Sequence, residues 1–210
     1  LHEKTGNDRL ALAGGCAMNS LANGKIFERS SFREVFIQPA SGDAGGALGA
    51  ALVVYHRAKG NARLPRMEDA NLGPEYSEDY LRDLLGRTTE LSEGSEKFRV
   101  RRHEDEGELL GVVAERIEQG LVTGWFQGRF EWGPRALGNR SIVVDPRRPD
   151  MKEILNAKIK RRESFRPFAP SILREAVGEY FETDAEVPFM QQVFRIRPEK
   201  HSIIPAVTHV

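Results

Sequence analysis

Cysteine is nearly missing from this chain: Cys16 is the only one in 210 residues. An internal disulfide is therefore excluded, and a reducing compartment, the cytoplasm, is the expected setting. Cys16 itself is expected to be a small buried filler, because free cysteine commonly packs as an apolar residue. No apolar run approaches the roughly 20 residues needed to cross a bilayer. The first residues, Leu1 to Gly6, lack the basic and apolar segments of a secretory signal. The chain starts without Met and ends at His209 and Val210 without a terminating signal, so further chain is expected on both sides. Net charge is also missing. With 31 Lys/Arg against 31 Asp/Glu, a globally basic nucleic-acid binder is not suggested. What is present, 40% apolar and 30% charged residues, is ordinary for a folded chain with a sizeable core.

Along the chain the texture is mixed α/β. A short apolar run, Leu10 to Ala13, enters a Gly14-Gly15 turn. A helix near Ala17 to Phe27, a strand at Val35 to Gln38 and a Gly/Ala-rich helix over Asp43 to Tyr55 follow. From Lys59 to about Ser95, Gly and Pro punctuate a polar stretch with one short helix expected at Ser77 to Leu85, which reads as a linker. Beyond Phe98 a second α/β segment begins. Leu109, Val112, Val113 and Ile117 share one face of a helix over Glu104 to Gln119, which has an acidic first turn and a natural stop at Gly120. Strands are expected at Leu121 to Phe126 and Ser141 to Asp145, with the irregular loop Gln127 to Arg140 between them. Asp150 and Glu153 suggest a capping box for a helix to about Arg161, with Met151, Ile154, Leu155 and Ile159 facing inward. Arg174 to Phe181 reads as helical and Pro188 to Arg197 as extended. The expected division is residues 1–60, a linker over 61–95, and residues 96–210.

Charge, absent on average, is concentrated locally. Between Arg129 and Arg166 eleven Lys/Arg face five acids. Arg147, Arg148, Lys152 and Arg161 read as solvated charges. Residues 128–141 read differently, because Arg129, Arg135 and Arg140 alternate with Phe130, Trp132 and Leu137 in a loop pinned by Gly133-Pro134 and Gly138. Arginines anchored among aromatics and rigid turns are pre-organised, and a guanidinium fork matches a phosphate or carboxylate bidentately. Residues 160–170 repeat the style, with Arg166 before a stiff Pro-Phe-Ala-Pro, and the two segments are expected to converge on one anion. A non-catalytic module binding RNA or another polyanion is the alternative, since basic residues among aromatics also suit a single strand. The two differ in salt response, steep for nucleic acid and shallow for a small buried pocket.

In the glycine-rich half, Gly14-Gly15 after a strand either offers backbone amides to a nucleotide or is a plain strand-to-helix turn. Asp43, between glycines at an expected helix start, reads on spacing as an N-cap, with a hard-cation or iron ligand as the alternative.

Three blocks resemble the O-carbamoyltransferases of nodulation-factor and antibiotic biosynthesis. They are Ala13 to Asn19 with Ser41 to Gly46, Gly128 to Ser141 continuing to Arg147, and Lys160 to Pro170. The resemblance implies the end of an actin/sugar-kinase-like ATPase domain, followed by a domain similar to threonylcarbamoyl-adenylate synthase. It implies that the second domain converts carbamoyl phosphate and ATP (with Mg) to carbamoyl-adenylate. The first would then transfer the carbamoyl group to a hydroxyl of a small molecule or sugar, beside a divalent metal, Fe(II) by the family pattern. By the same resemblance Asp43 becomes a metal ligand, and Gly14, Gly15 and Asn19 the nucleotide turn. Arg135, Arg140, Lys160 and Arg166 surround carbamoyl phosphate, with Arg135 and Lys160 as the catalytic pair. The family's paired metal-binding histidines have no counterpart here, since the five histidines are scattered. The isolated chain is therefore expected not to complete the transfer. A homodimer stays open, and no membrane partner is implied.

Overall fold

The computed structural model describes residues 1–60, 64–88, 91 and 97–209. Two small sheets organise it. In the first, β1 (Arg9–Leu12) and β2 (Glu34–Ile37) pair in parallel, with Arg9 opposite Glu34 and Leu12 opposite Ile37. A parallel pair needs a crossover, since both strands must run the same way. Here the crossover is helical, but it is not the continuous helix expected over Ala17 to Phe27. It breaks into a 3₁₀ turn (Gly15–Met18), α2 (Ser20–Gly24) and α3 (Ile26–Arg29), after a first short helix α1 (His2–Thr5). The physical reason lies at Asn19, whose side-chain oxygen accepts from the Ala22 amide at 3.0 Å and restarts the helix. Cys16 on the 3₁₀ turn is exposed, contrary to the expected burial. After β2 the long helix α4 (Gly45–Ala58) runs on from a turn at residues 41–44. Ala44 is its N-cap, so Asp43 is not the cap its spacing suggested.

The second sheet follows α5 (Glu78–Arg87), capped by the Ser77 side chain, and α6 (Glu106–Glu118). α6 matches expectation closely. Asp105 accepts from the Glu108 amide at 2.7 Å at one end, and Gly120 takes φ +82° at the other. β3 (Thr123–Phe126) then pairs antiparallel with β4 (Arg140–Val143), Phe126 lying opposite Arg140. That last pair, extended by Gln127 N donating to Asn139 O at 2.9 Å, closes the neck of the intervening loop.

Beyond β4 the regular helix is short. α7 (Met151–Ile154) passes into a π-helix over Leu155–Lys160, ending at Arg161 with φ +49°. The expected capping box does not form, because the Asp150 carboxylate is taken by Arg148 at 2.9 Å. The wider π turn also shifts the inward face. Met151, Leu155 and Asn156 are buried, whereas Ile159 is turned out. A 3₁₀ turn (Arg174–Ala176) leads into α8 (Val177–Tyr180). Of the stretch expected to be extended, Pro188 to Met190 instead form a turn, with Met190 at φ +54°, and among the described residues the rest joins no ladder beyond a bridge from Ile196 to Phe181.

The two halves meet through buried side-chain amides that donate to main-chain carbonyls and through one backbone bond. Asn23, 3% exposed, donates to Ala17 O and Gln191 O, both at 2.8 Å. Gln191 donates to Pro39 O at 3.1 Å, and Val193 N donates to Ser20 O at 3.1 Å. Several of the most buried residues (Ala17, Pro39, Ala40, Ser41, Phe189) lie along this seam. The exposed surface is nonetheless 15353 Å², against about 9,800 Å² for a compact monomer of this mass. Apolar side chains such as Val53, Val54, Leu110, Leu121, Phe126 and Ile142 stand on it. No helix among the described residues is long and apolar enough to cross a membrane.

Candidate active site

The loop between β3 and β4 is built around one buried acid. Glu131 sits between Phe130 and Trp132 with its side chain 1% exposed. One carboxylate oxygen accepts from the amides of Leu137 (2.9 Å) and Asn139 (2.6 Å); the other accepts from Arg140 Nε at 2.9 Å. Burial pushes the Glu131 carboxyl up, but the Leu137 and Asn139 amides and Arg140 outweigh it and hold it below the usual range. Arg140 Nη2 also donates to the carbonyls of Glu131 (3.0 Å) and Gly133 (2.9 Å). Gly133 at φ +106° and Gly138 at φ +121° make the bends a side chain would resist.

At the crest of this loop stands Arg135, half-buried, with an Nε that is shut from solvent and has no hydrogen-bond partner. Most buried donors are paired, so an unpaired one needs an explanation. Arg129 is used differently, its Nε donating to Gly73 O at 2.9 Å. That bond belongs to a strap, residues 70–76, which lies within the stretch read as a linker. Gly73 N donates to Phe130 O (2.9 Å), Phe130 N to Pro74 O (3.1 Å) and Asn139 Nδ2 to Asn71 Oδ1 (2.9 Å). Ala70 is buried beneath it. Strap and loop together enclose an open cavity of about 500 Å³, walled by Leu72, Pro74, Tyr76, Phe130 and Trp132, with Glu131 and Arg140 at its edge. Tyr76 and Phe126 both pack edge-on against Phe130, at 6.2 and 5.1 Å between ring centroids.

The second basic segment has its own anchor. Asn156, 1% exposed, donates to Ser164 O (3.2 Å) and Arg166 O (3.0 Å) and accepts from Arg162 Nε (2.8 Å). Arg162 also lies over the Phe168 ring at 4.7 Å. Arg166 pairs with Glu163 at 2.9 Å on the surface, and Lys160 is exposed at the end of the π-helix. Among the described residues no hydrogen bond or ion pair joins residues 128–141 to residues 160–170. Arg140 lines the cavity; Arg135, Lys160 and Arg166 do not. Arg147, read as solvated, is exposed and also grips the buried Asp145 through paired bonds of 2.8 to 3.0 Å.

In the first half, Gly14 takes φ +103° and donates its amide to Ser41 O at 2.7 Å. Ser41 Oγ donates to Met18 Sδ at 3.0 Å. The turns 14–19 and 41–45 are thus tied side by side at the carboxyl ends of the two parallel strands, where α/β sheets bind ligands. Open space lies over Gly15, so a nucleotide can approach the main chain there. Asn19 is occupied as the α2 cap. Asp43 is exposed, and no group of three or more His, Cys, Asp or Glu suited to a metal ion occurs among the described residues. One carboxylate does not satisfy Fe(II) or a hard divalent cation. The described residues therefore do not make a complete metal centre.

Residues 1–52 match the family described as carbamoyltransferase N-terminus, and residues 114–210 that described as carbamoyltransferase C-terminus. The chain belongs to the carbamoyltransferase family. Its relatives include nodulation protein NolO of Bradyrhizobium diazoefficiens, 43% identical over 100% of this chain and 37% of that protein. An uncharacterised protein of Synechocystis is 42% identical over 100% of this chain and 37% of its own length. The 3'-hydroxymethylcephem-O-carbamoyltransferase of Amycolatopsis lactamdurans is 34% identical over 96% and 35%. The chain thus spans little more than a third of the length of each of these relatives. Sequence reasoning found the loop through its arginines but missed Glu131, Asn156, Arg162 and the strap. An acid flanked by Phe130 and Trp132 was the available signal for the first.

Proposed function

We propose that this chain carries the carbamoyl-phosphate site of an ATP-dependent O-carbamoyltransferase, with Arg135 as the principal ligand of the phosphate. The carrying observation is the buried, unpartnered Nε of Arg135 on a loop held rigid by Glu131. Water attacks the carbamoyl carbon and the bond to phosphate breaks, giving carbamate and inorganic phosphate. A carbamate oxygen then attacks the α-phosphorus of ATP and pyrophosphate leaves, forming carbamoyl-adenylate. An acceptor hydroxyl attacks the carbamoyl carbon, AMP leaves, and the hydroxyl proton passes to solvent. Negative charge grows on the departing phosphate in the first step, where a fixed cation stabilises the transition state. Lys160 and Arg166, exposed beside the Asn156 anchor, complete the anion site in this reading. Gly14 and Gly15 leave the nucleotide's approach to the first half open.

The finer architecture goes with it: the end of an actin-like ATPase domain, then a domain similar to threonylcarbamoyl-adenylate synthase, in a cytoplasmic enzyme. Support comes from the parallel β1–β2 pair with turns at its carboxyl ends, and from a total accessible surface larger than a compact monomer of this mass exposes. The acceptor class, an alcohol, follows the relative named as a 3'-hydroxymethylcephem-O-carbamoyltransferase and the resemblance to nodulation-factor carbamoyltransferases. The test is carbamoyl-phosphate-dependent release of inorganic phosphate and AMP by the protein that carries this chain. Arg135→Ala and Lys160→Ala are each expected to lower kcat/KM at least about tenfold, the loss of one charge-assisted contact. Wild-type rates in both variants would remove the site assignment.

A further inference from the structure

Within the carbamoyl-phosphate reading, on which this rests, we infer that Glu131 and Arg140 are positioning residues. Arg140 acts as a strut that fixes the loop, and Arg135 alone of this loop's arginines meets the phosphate.

The Nε and Nη2 donors of Arg140 already have protein partners. Nε is committed to Glu131, and Nη2 to the carbonyls of Glu131 and Gly133. The side-on edge of the guanidinium, with which arginine grips an oxyanion, is therefore filled by protein oxygens. To offer that edge to phosphate, Arg140 would have to leave Glu131, stranding a carboxylate whose side chain is 1% exposed. The charge balance says the same. Glu131 neutralises Arg140 locally, so a second anion gains little there. Among the described residues Arg135 has no ion-pair partner, and its Nε is an orphaned buried donor. The bonds made by Glu131 and Arg140 run from residue 131 to residues 137, 139 and 140 and back to 133. Arg135 lies within that span of the chain, so the backbone that carries it is fixed by bonds that do not touch the ligand.

The two roles respond differently to lysine. A strut at 140 needs a planar fork reaching three oxygens at once, which an ammonium on a flexible stem does not supply. A phosphate ligand at 140 needs mainly a positive charge, which lysine keeps. The experiment measures KM for carbamoyl phosphate, kcat, and inhibition by inorganic phosphate in Arg140→Lys, Arg140→Met, Glu131→Gln and the Glu131→Gln/Arg140→Met double variant. Circular dichroism checks folding of each. The strut predicts that Arg140→Lys is as impaired as Arg140→Met, both raising KM and the phosphate inhibition constant about tenfold or more. It also predicts that the double variant is no worse than the worse single, because one clamp is being removed twice. The idea fails if Arg140→Lys stays within about threefold of wild type while Arg140→Met does not, or if the double variant's losses multiply. Should Glu131→Gln not fold, the lysine–methionine comparison decides by itself. A wild-type protein without carbamoyl-phosphate turnover or phosphate inhibition instead overturns the proposed function, which separates the two failures.

Discussion

Replacing Asn156 by alanine tests whether the second basic segment is held by a single amide. The side chain makes three bonds, to Ser164 O, Arg166 O and Arg162 Nε, and is 1% exposed. Each neutral bond contributes about 1 kcal/mol net, and the bond from Arg162 about 1.5–3 kcal/mol. Ser164 and Arg166 are exposed residues, so water can take over their carbonyls once the amide is gone. The expected loss is therefore about 2–3 kcal/mol rather than the full sum. Asn156→Asp keeps the acceptor for Arg162 and loses both donors, so it separates the charged bond from the two neutral ones. Urea unfolding followed by circular dichroism gives the global cost. Hydrogen exchange across residues 161–168 gives the local one, where faster exchange is expected in both variants. A midpoint equivalent to less than about 0.5 kcal/mol from wild type, with unchanged exchange in that segment, would refute the anchoring role.

Three further perturbations bear on the same framework. Glu131 is held below its ordinary 4.5 because the Leu137 and Asn139 amides and Arg140 outweigh burial, and Asp145 is held below 3.8 chiefly by Arg147. Groups with lowered folded values stabilise above their unfolded values and lose that contribution as pH falls through the folded ones. Urea midpoints should therefore drop progressively below pH 4.5, and less steeply in Glu131→Gln; equal slopes would contradict this. Gly133→Ala puts a methyl 2.8 Å from Pro39 O at φ +106°, and should cost about 1–3 kcal/mol in thermal unfolding. Met151→Ala empties a fully buried site at the start of α7 and should cost about 2–5 kcal/mol by the same assay.

What sequence made legible was local. α6 declared itself through its apolar face, Asp105 and Gly120, and the four strands through short apolar runs between turns. The failures share a cause. The π-helix at Leu155–Lys160 broke a reading that assumes a constant 3.6-residue turn, so Ile159 was placed inside and Asn156 overlooked. The strap at residues 70–76 has no periodicity, because its order comes from main-chain bonds to a loop more than fifty residues away. At the site, the arginines were visible by type but not by role. Arg135 and Arg140 look alike in sequence, and only the Glu131 carboxylate, buried by tertiary packing, distinguishes them.

The close approach of Gly133 to Pro39 has a consequence for traffic between the two ends of the chain. At that point backbone rests on backbone, with no deformable side chain to absorb movement. Four residues beyond Pro39 lies Asp43, and on the other side only Pro134 separates Gly133 from Arg135. A shift of the loop over residues 128–141 therefore presses on the main chain that leads into the turn at residues 41–44, as between gear teeth rather than through a spring. Side chains around both loops can drift without uncoupling them. One added methyl at position 133 would hold them apart.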